Sequence, residues 1–150
     1  MSLKQWADHG WLRPHKTTPQ EVADLLTIVE RDLEDSTHDI SADWRFGIAY
    51  NAALKLCTIL LHASGYRPEK TLQHYRTITA LPLILGDNYK DAADYLDACR
   101  GKRNTVEYDV AGAATKQDAT ELIEFAKKLR QDVLNWLKKN HPNLLTKRGE

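Results

Sequence analysis

The sequence predicts an all-α protein, an antiparallel bundle of four long helices plus a short or broken one, on three observations. Apolar residues recur at three- and four-residue spacing along four long segments. The alternation of a half-buried strand is absent. Most of the seven glycines and five prolines fall between those segments rather than inside them.

At 150 residues the chain fits one domain, and 42% apolar residues are enough for a substantial core. Lys+Arg and Asp+Glu both total 21, so the net charge is zero and no global basic signal for nucleic acid exists. Only a local patch is left for such a partner. The opening MSLKQWADHG lacks an apolar signal-peptide core, and no run reaches about 18 uncharged apolar residues. The expectation is a cytoplasmic protein with no membrane association. Cys57 and Cys99 lie on apolar helical faces and read as small buried hydrophobes.

Residues 1–17 form an N-terminal arm without the periodicity of a long helix, and Trp6 and Trp11 are expected to dock on the domain or on a partner subunit. Residues 18–142 form the bundle domain, and 143–150 a flexible tail. The first helix starts at Thr18-Pro19-Gln20-Glu21, with Thr18 as cap, Pro19 at the first helical position and Glu21 reaching back. Its apolar face is Val22, Leu25, Leu26, Val29 and Leu33, and it runs to about Ser36.

Ser41 starts a second helix that reaches about Ser64 and stops at Gly65. Its broad apolar face, with the small residues Ala49, Ala52 and Ala53, makes it the central helix. Residues 66–70 are a short connection. Residues 71–85 show a helical pattern broken around Pro82 and closed by Gly86. The fourth helix begins near Asp87 or Asn88. Residues 110–114 read as a loop, after which Thr115 and Asp118 cap a last helix that ends at His141-Pro142.

The stretch with chemistry is residues 97–109, DACRGKRNTVEYD, at the end of the fourth helix. Tyr89, Ala92, Leu96 and Cys99 make an apolar stripe that, continued forward, reaches Arg103. An arginine there either pairs with a buried polar partner or lines a cleft, because an unpaired charge in an apolar interior costs several kcal/mol. Asn104 and Tyr108 are four apart, as are Arg103 and Glu107, so they share one helical surface if the helix survives Gly101.

AYNAALKLCTILLHASGYRP at residues 49–68, His74, and CRGKRNTVEYD at residues 99–109, in this order, together resemble the HEPN family, and within it a branch of small stand-alone proteins. The resemblance implies a helical bundle that forms a homodimer. It also implies RNA as substrate or ligand, and an antitoxin or nucleotidyltransferase as partner. Many members are metal-independent ribonucleases of toxin–antitoxin or defence systems, while others are non-catalytic scaffolds that bind nucleotide or protein. Active members carry an arginine, commonly a polar residue after it, and a histidine about four to six residues beyond, both copies lining the dimer cleft. Arg103 and Asn104 match. No histidine follows at that spacing, and Tyr108 stands in its place with Glu107 before it.

Cleavage of RNA by its 2′-hydroxyl needs a proton acceptor, a donor for the leaving oxygen and positive charge for the phosphorane. Arginine clamps phosphate bidentately, whereas tyrosine, with an ordinary pKa of about 10, is a poor base near neutrality. The resemblance therefore casts Arg103 as phosphate clamp, Asn104 as orienting donor, Glu107 as base and Tyr108 as acid or ligand. Arg100, Lys102 and His74 are candidates for phosphate or RNA contact. The plainer alternatives are a buried salt bridge for Arg103, with Glu107 as a partner for it or for Arg100, solvated Arg100 and Lys102, core packing for Tyr108 and a core hydrogen bond for His74. The histidines lack metal-ligand spacing, Asp91, Asp94 and Asp97 read as a solvated face, and no glycine-rich phosphate loop follows a strand. No metal or other cofactor is expected.

Overall fold

In the computed structural model residues 1–108 and 110–148 are described, with the backbone alone for Glu107, Tyr108 and residues 146–148. The chain order is α1 (Leu3–Asp8), β1 (Leu12–Pro14), α2 (Pro19–Asp35), α3 (Ala42–Ala63), β2 (Tyr66–Pro68), α4 (Gln73–Thr79), α5 (Leu81–Leu85), α6 (Lys90–Tyr108) and α7 (Lys116–Asn140). Short 3₁₀ segments precede α6 at Asp87–Tyr89 and follow α7 at Pro142–Arg148.

The caps explain where the long helices begin. Thr18 accepts from the Glu21 amide, Ser41 from the Trp44 amide and Thr115 from the Asp118 amide. Each such cap is worth about 1 kcal/mol. Only at Thr115 does the acidic residue return the bond to the cap's own amide. Glu21 instead turns its carboxylate to Thr17, His15 and His62, a correction to the reciprocal cap expected at that helix start.

α3 is the central helix. Its apolar residues from Phe46 to Leu61, the part-buried Ile48 apart, are almost fully buried, and it packs against α2, α6 and α7. By length and composition it is apolar enough to cross a membrane, yet 67% of that apolar window is buried inside the bundle, where its surface is already used. Burial of each large side chain there contributes roughly 1.5–3 kcal/mol. The pattern over residues 71–85 splits at Ala80, because Pro82 is accommodated in the first turn of a separate helix, α5. Gly101 does not break α6, which runs through it to Tyr108.

Both chain ends differ from expectation. The N-terminal arm carries a helical turn and a strand: β1 pairs antiparallel with β2, Leu12 opposite Pro68 and Pro14 opposite Tyr66. Three-residue strands ending in proline leave no alternation to read. Trp6 and Leu12 are buried with Leu61 and Ala80 in a second small core, and the Arg76 guanidinium lies 3.9 Å from the Trp11 ring centroid. At the other end, the flexible tail expected over residues 143–150 is, in its described part to Arg148, a 3₁₀ segment instead, and Gly149 and Glu150 lie outside the described residues. The segment packs on α2 and α7 and buries Leu144 and Leu145.

Candidate functional site

α6 and α4 place the polar residues that matter. On α6, Arg100 and Asn104 are one turn apart and therefore share a face. α4 is antecedent in the chain and packs against that face. Its start is set by Leu72, which holds a left-handed backbone conformation at φ 56° and ψ 32°. Such a conformation costs a non-glycine residue on the order of 1–2 kcal/mol. The next turn carries Gln73, His74 and Tyr75, which with Lys70, Leu72, Arg100 and Asn104 line an open groove of about 240 Å³.

The groove is basic. Burial holds His74 below the ordinary histidine pKa, and the positive charges of Arg103, Lys55 and Arg100 push it the same way. His74 is thus neutral at pH 7, with a lone pair to offer. The Arg100 Nε donates to Asp97 at 2.8 Å, and its guanidinium lies 5.9 Å from the Tyr75 ring centroid. One carboxylate orients Arg100 where it lines the groove.

Arg103 lines a second, larger cavity of about 540 Å³ between α2, α3 and the end of α6. Its guanidinium is 5.7 Å from the ring centroid of Tyr50, a buried residue whose ionisation burial opposes. Asp32, Asp43, Asn51 and Trp44 line the same cavity. Asp32 is buried on the apolar side of α2 and accepts from Asn51 at 2.6 Å and from Arg31 at 2.9 Å. Of the two alternatives for an arginine on this stripe, a buried partner or a cleft, Arg103 takes a cleft position, in a cavity that also holds carboxylates.

Of the sequence candidates, Arg100, Asn104 and His74 come together, with Arg103 close enough to bias His74 electrostatically. Lys102 does not join them. It projects toward α7 and pairs with Asp118 at 3.1 Å, which ties the capping residue of α7 to α6. Glu107 and Tyr108 occupy the last turn of α6, and their side chains, like Asp109, lie outside the described residues. Sequence reasoning missed Asp32 and Asn51. The available signal was a charged residue on the apolar stripe of α2, three residues after Val29. It also missed Lys70, Gln73 and Tyr75, which flank His74 on the same short segment. Cys57 and Cys99 are buried free thiols, pushed by burial up to about 12 and about 11, and so are inert packing groups.

A helical bundle built on one central apolar helix, with a groove lined by Arg100, Lys70 and His74 against its penultimate long helix, defines the class. The sequence matches the HEPN domain family over residues 22–136, most of the chain, and the protein belongs to that family. No curated protein and no solved structure gave a match.

Proposed function

We propose that the α4–α6 groove binds RNA phosphate and that the protein is a metal-independent endoribonuclease of a toxin–antitoxin or defence system. It acts as a cytoplasmic homodimer of the small stand-alone branch, held in check by an antitoxin or working beside a nucleotidyltransferase. The observation that carries this reading is His74 in one groove with Arg100 and Asn104. In this reading His74, on a neighbouring helix, stands in for the histidine that this chain lacks after Arg103.

In this mechanism neutral His74 takes the proton of the RNA 2′-hydroxyl, whose oxygen bonds to phosphorus. The bond from phosphorus to the 5′-oxygen breaks, and that oxygen leaves with a proton from Tyr108, one turn beyond Asn104 in sequence. The products are a 2′,3′-cyclic phosphate and a 5′-hydroxyl. Arg103 and Arg100 offset the charge of the phosphorane, and Asn104 orients it by hydrogen bonding. The depressed pKa of His74 suits the base role near neutrality. Support for the dimer comes from exposed apolar side chains beside the Arg103 cavity: Trp44 is 64% and Val110 55% exposed.

The test is cleavage of a mixed-sequence single-stranded RNA in EDTA by the intact protein, Arg103→Ala and His74→Ala, with oligomeric state measured on the same samples. Cleavage lost in both still-folded variants supports the reading. Cleavage lost in Arg103→Ala but kept in His74→Ala moves the base role to Glu107. The absence of both cleavage and RNA binding overturns it. A second reading, a non-catalytic scaffold that binds nucleotide or protein, is favoured by one observation. The larger cavity mixes Trp44, Ile48 and Val110 with the carboxylates of Asp32 and Asp43, a lining better suited to a neutral or basic ligand than to phosphate.

A further inference from the structure

A second cluster of ionisable groups sits where the N-terminal arm meets the bundle. His15 follows β1, Glu21 lies in the first turn of α2 and His62 in the last turn of α3. Glu21 Oε1 is 2.7 Å from His15 Nε2 and 3.0 Å from His62 Nδ1. The two imidazole rings are 4.0 Å apart between centroids and inclined by 31°. One ligand atom from each of the three residues lies within 4.8 Å of the others. The histidine side chains are only 18% and 15% exposed, so the nitrogens converge in a partly closed space open on the Glu21 side.

We propose that His15, Glu21 and His62 form a binding site for a divalent transition metal, with zinc as the preferred ion and water in its fourth position. Two imidazoles and one carboxylate are a donor set zinc accepts, and bonds of about 2.0–2.1 Å in a tetrahedron place ligand atoms roughly 3.3 Å apart. Against that spacing the present 2.7 and 3.0 Å open by roughly 0.6 and 0.3 Å, and the two imidazole nitrogens, already within 4.8 Å of each other, settle at the same separation. Imidazole donors select zinc, copper or nickel over magnesium and calcium, which want more oxygen ligands.

The surroundings hold the donors in place. The Thr17 hydroxyl donates to the same Glu21 oxygen at 2.6 Å, which fixes the carboxylate as an outer hydrogen bond to a ligand does. The His15 amide donates to the Gly65 carbonyl at 2.9 Å, anchoring the arm beside the end of α3. Arg67 adds an opposing positive charge near His62, but its guanidinium donates to the Pro14 carbonyl at 2.8 Å, so it is directed along the ribbon. One carboxylate and two neutral imidazoles then leave a net negative site for the ion. Without it, three donors compete for one carboxylate oxygen.

The bound ion joins three separated pieces of chain and clasps the arm onto the bundle. This site is independent of the RNA reading: His62 lies about 18 Å along α3 from Tyr50, the residue beneath Arg103. Loss of metal in EDTA therefore leaves groove chemistry to be judged separately.

The test loads the full chain with zinc, removes excess by desalting and counts retained metal, with cobalt substitution as the spectroscopic probe. Expected are one zinc per chain and a tetrahedral cobalt absorption spectrum on the unmodified protein, a readout that needs no variant. Affinity should fall at least tenfold in His15→Ala, His62→Ala and Glu21→Gln, and stay unchanged in the exposed His38→Ala. Tryptic cleavage after Lys16 should slow with zinc in the parent chain and not in those three variants. No retained zinc, or retention indifferent to all three substitutions, overturns the proposal.

Discussion

The Asp43 carboxylate accepts a 2.6 Å hydrogen bond from the Gly112 amide, joining the first turn of α3 to the loop that leaves α6. Its other oxygen accepts from the Ala114 amide at 3.1 Å, so one side chain satisfies two loop donors. Those bonds fix the course of the chain just after the arginine-bearing helix. Asp43→Ala is expected to lower unfolding stability by about 1.5–3 kcal/mol, the range for hydrogen bonds to a charged group. Asp43→Asn, which keeps an acceptor, should cost less. Urea midpoints at unchanged slope measure both, and a loss below about 0.5 kcal/mol for Asp43→Ala would show that the loop holds itself.

Gly101 sits inside α6 with ordinary helical geometry, and a methyl group built on it meets nothing within 4 Å. The glycine therefore carries backbone entropy cost without a packing reason. Gly101→Ala is expected to stabilise the fold by roughly 0.5–1 kcal/mol. Thermal and chemical unfolding read the gain directly. A loss instead would mean that the helix face at Gly101 is covered by something outside a single chain.

His74 ties stability to pH in a definite direction. Its folded pKa lies below the unfolded value of about 6.5, so the unfolded state binds more protons in the interval between them. The contribution is fully present above about pH 6.5 and is lost as pH falls through the folded pKa. The groups facing it with positive charge, Arg103, Lys55 and Arg100, set the sign together with burial. Unfolding measured at pH 7.5 and at 5.5 should show a smaller decline in His74→Gln than in the parent chain. An equal decline would place the acid sensitivity elsewhere.

Much of the bundle was legible because caps and apolar spacing are local. Thr18, Ser41 and Thr115 announce their helices within four residues, and the stripe of α3 fits its burial closely. What escaped depends on partners distant in the chain. Asp32 is explained by Asn51 on another helix, and Glu21 by His62, not by its own cap. The ribbon of β1 with β2 has strands too short to carry a pattern. At the groove, spacing along α6 put Arg100 beside Asn104, but also suggested Lys102, whose partner Asp118 comes from α7. His74 entered by resemblance, and its nearness to Arg100 and Asn104 is a matter of how α4 packs. Helical periodicity says which side of a helix a residue occupies, not which neighbour waits there.

The ribbon has a consequence for the order of folding. More than fifty residues separate Leu12 from its partner Pro68, so pairing must wait until α2 and α3 have brought those points together. Its few backbone bonds sit over the smaller core, away from the interior of α3. The amides of β1 and β2 are therefore expected to gain protection from exchange with solvent later than those of α3 during refolding. They are also expected to lose it before the middle of α3 in the native state.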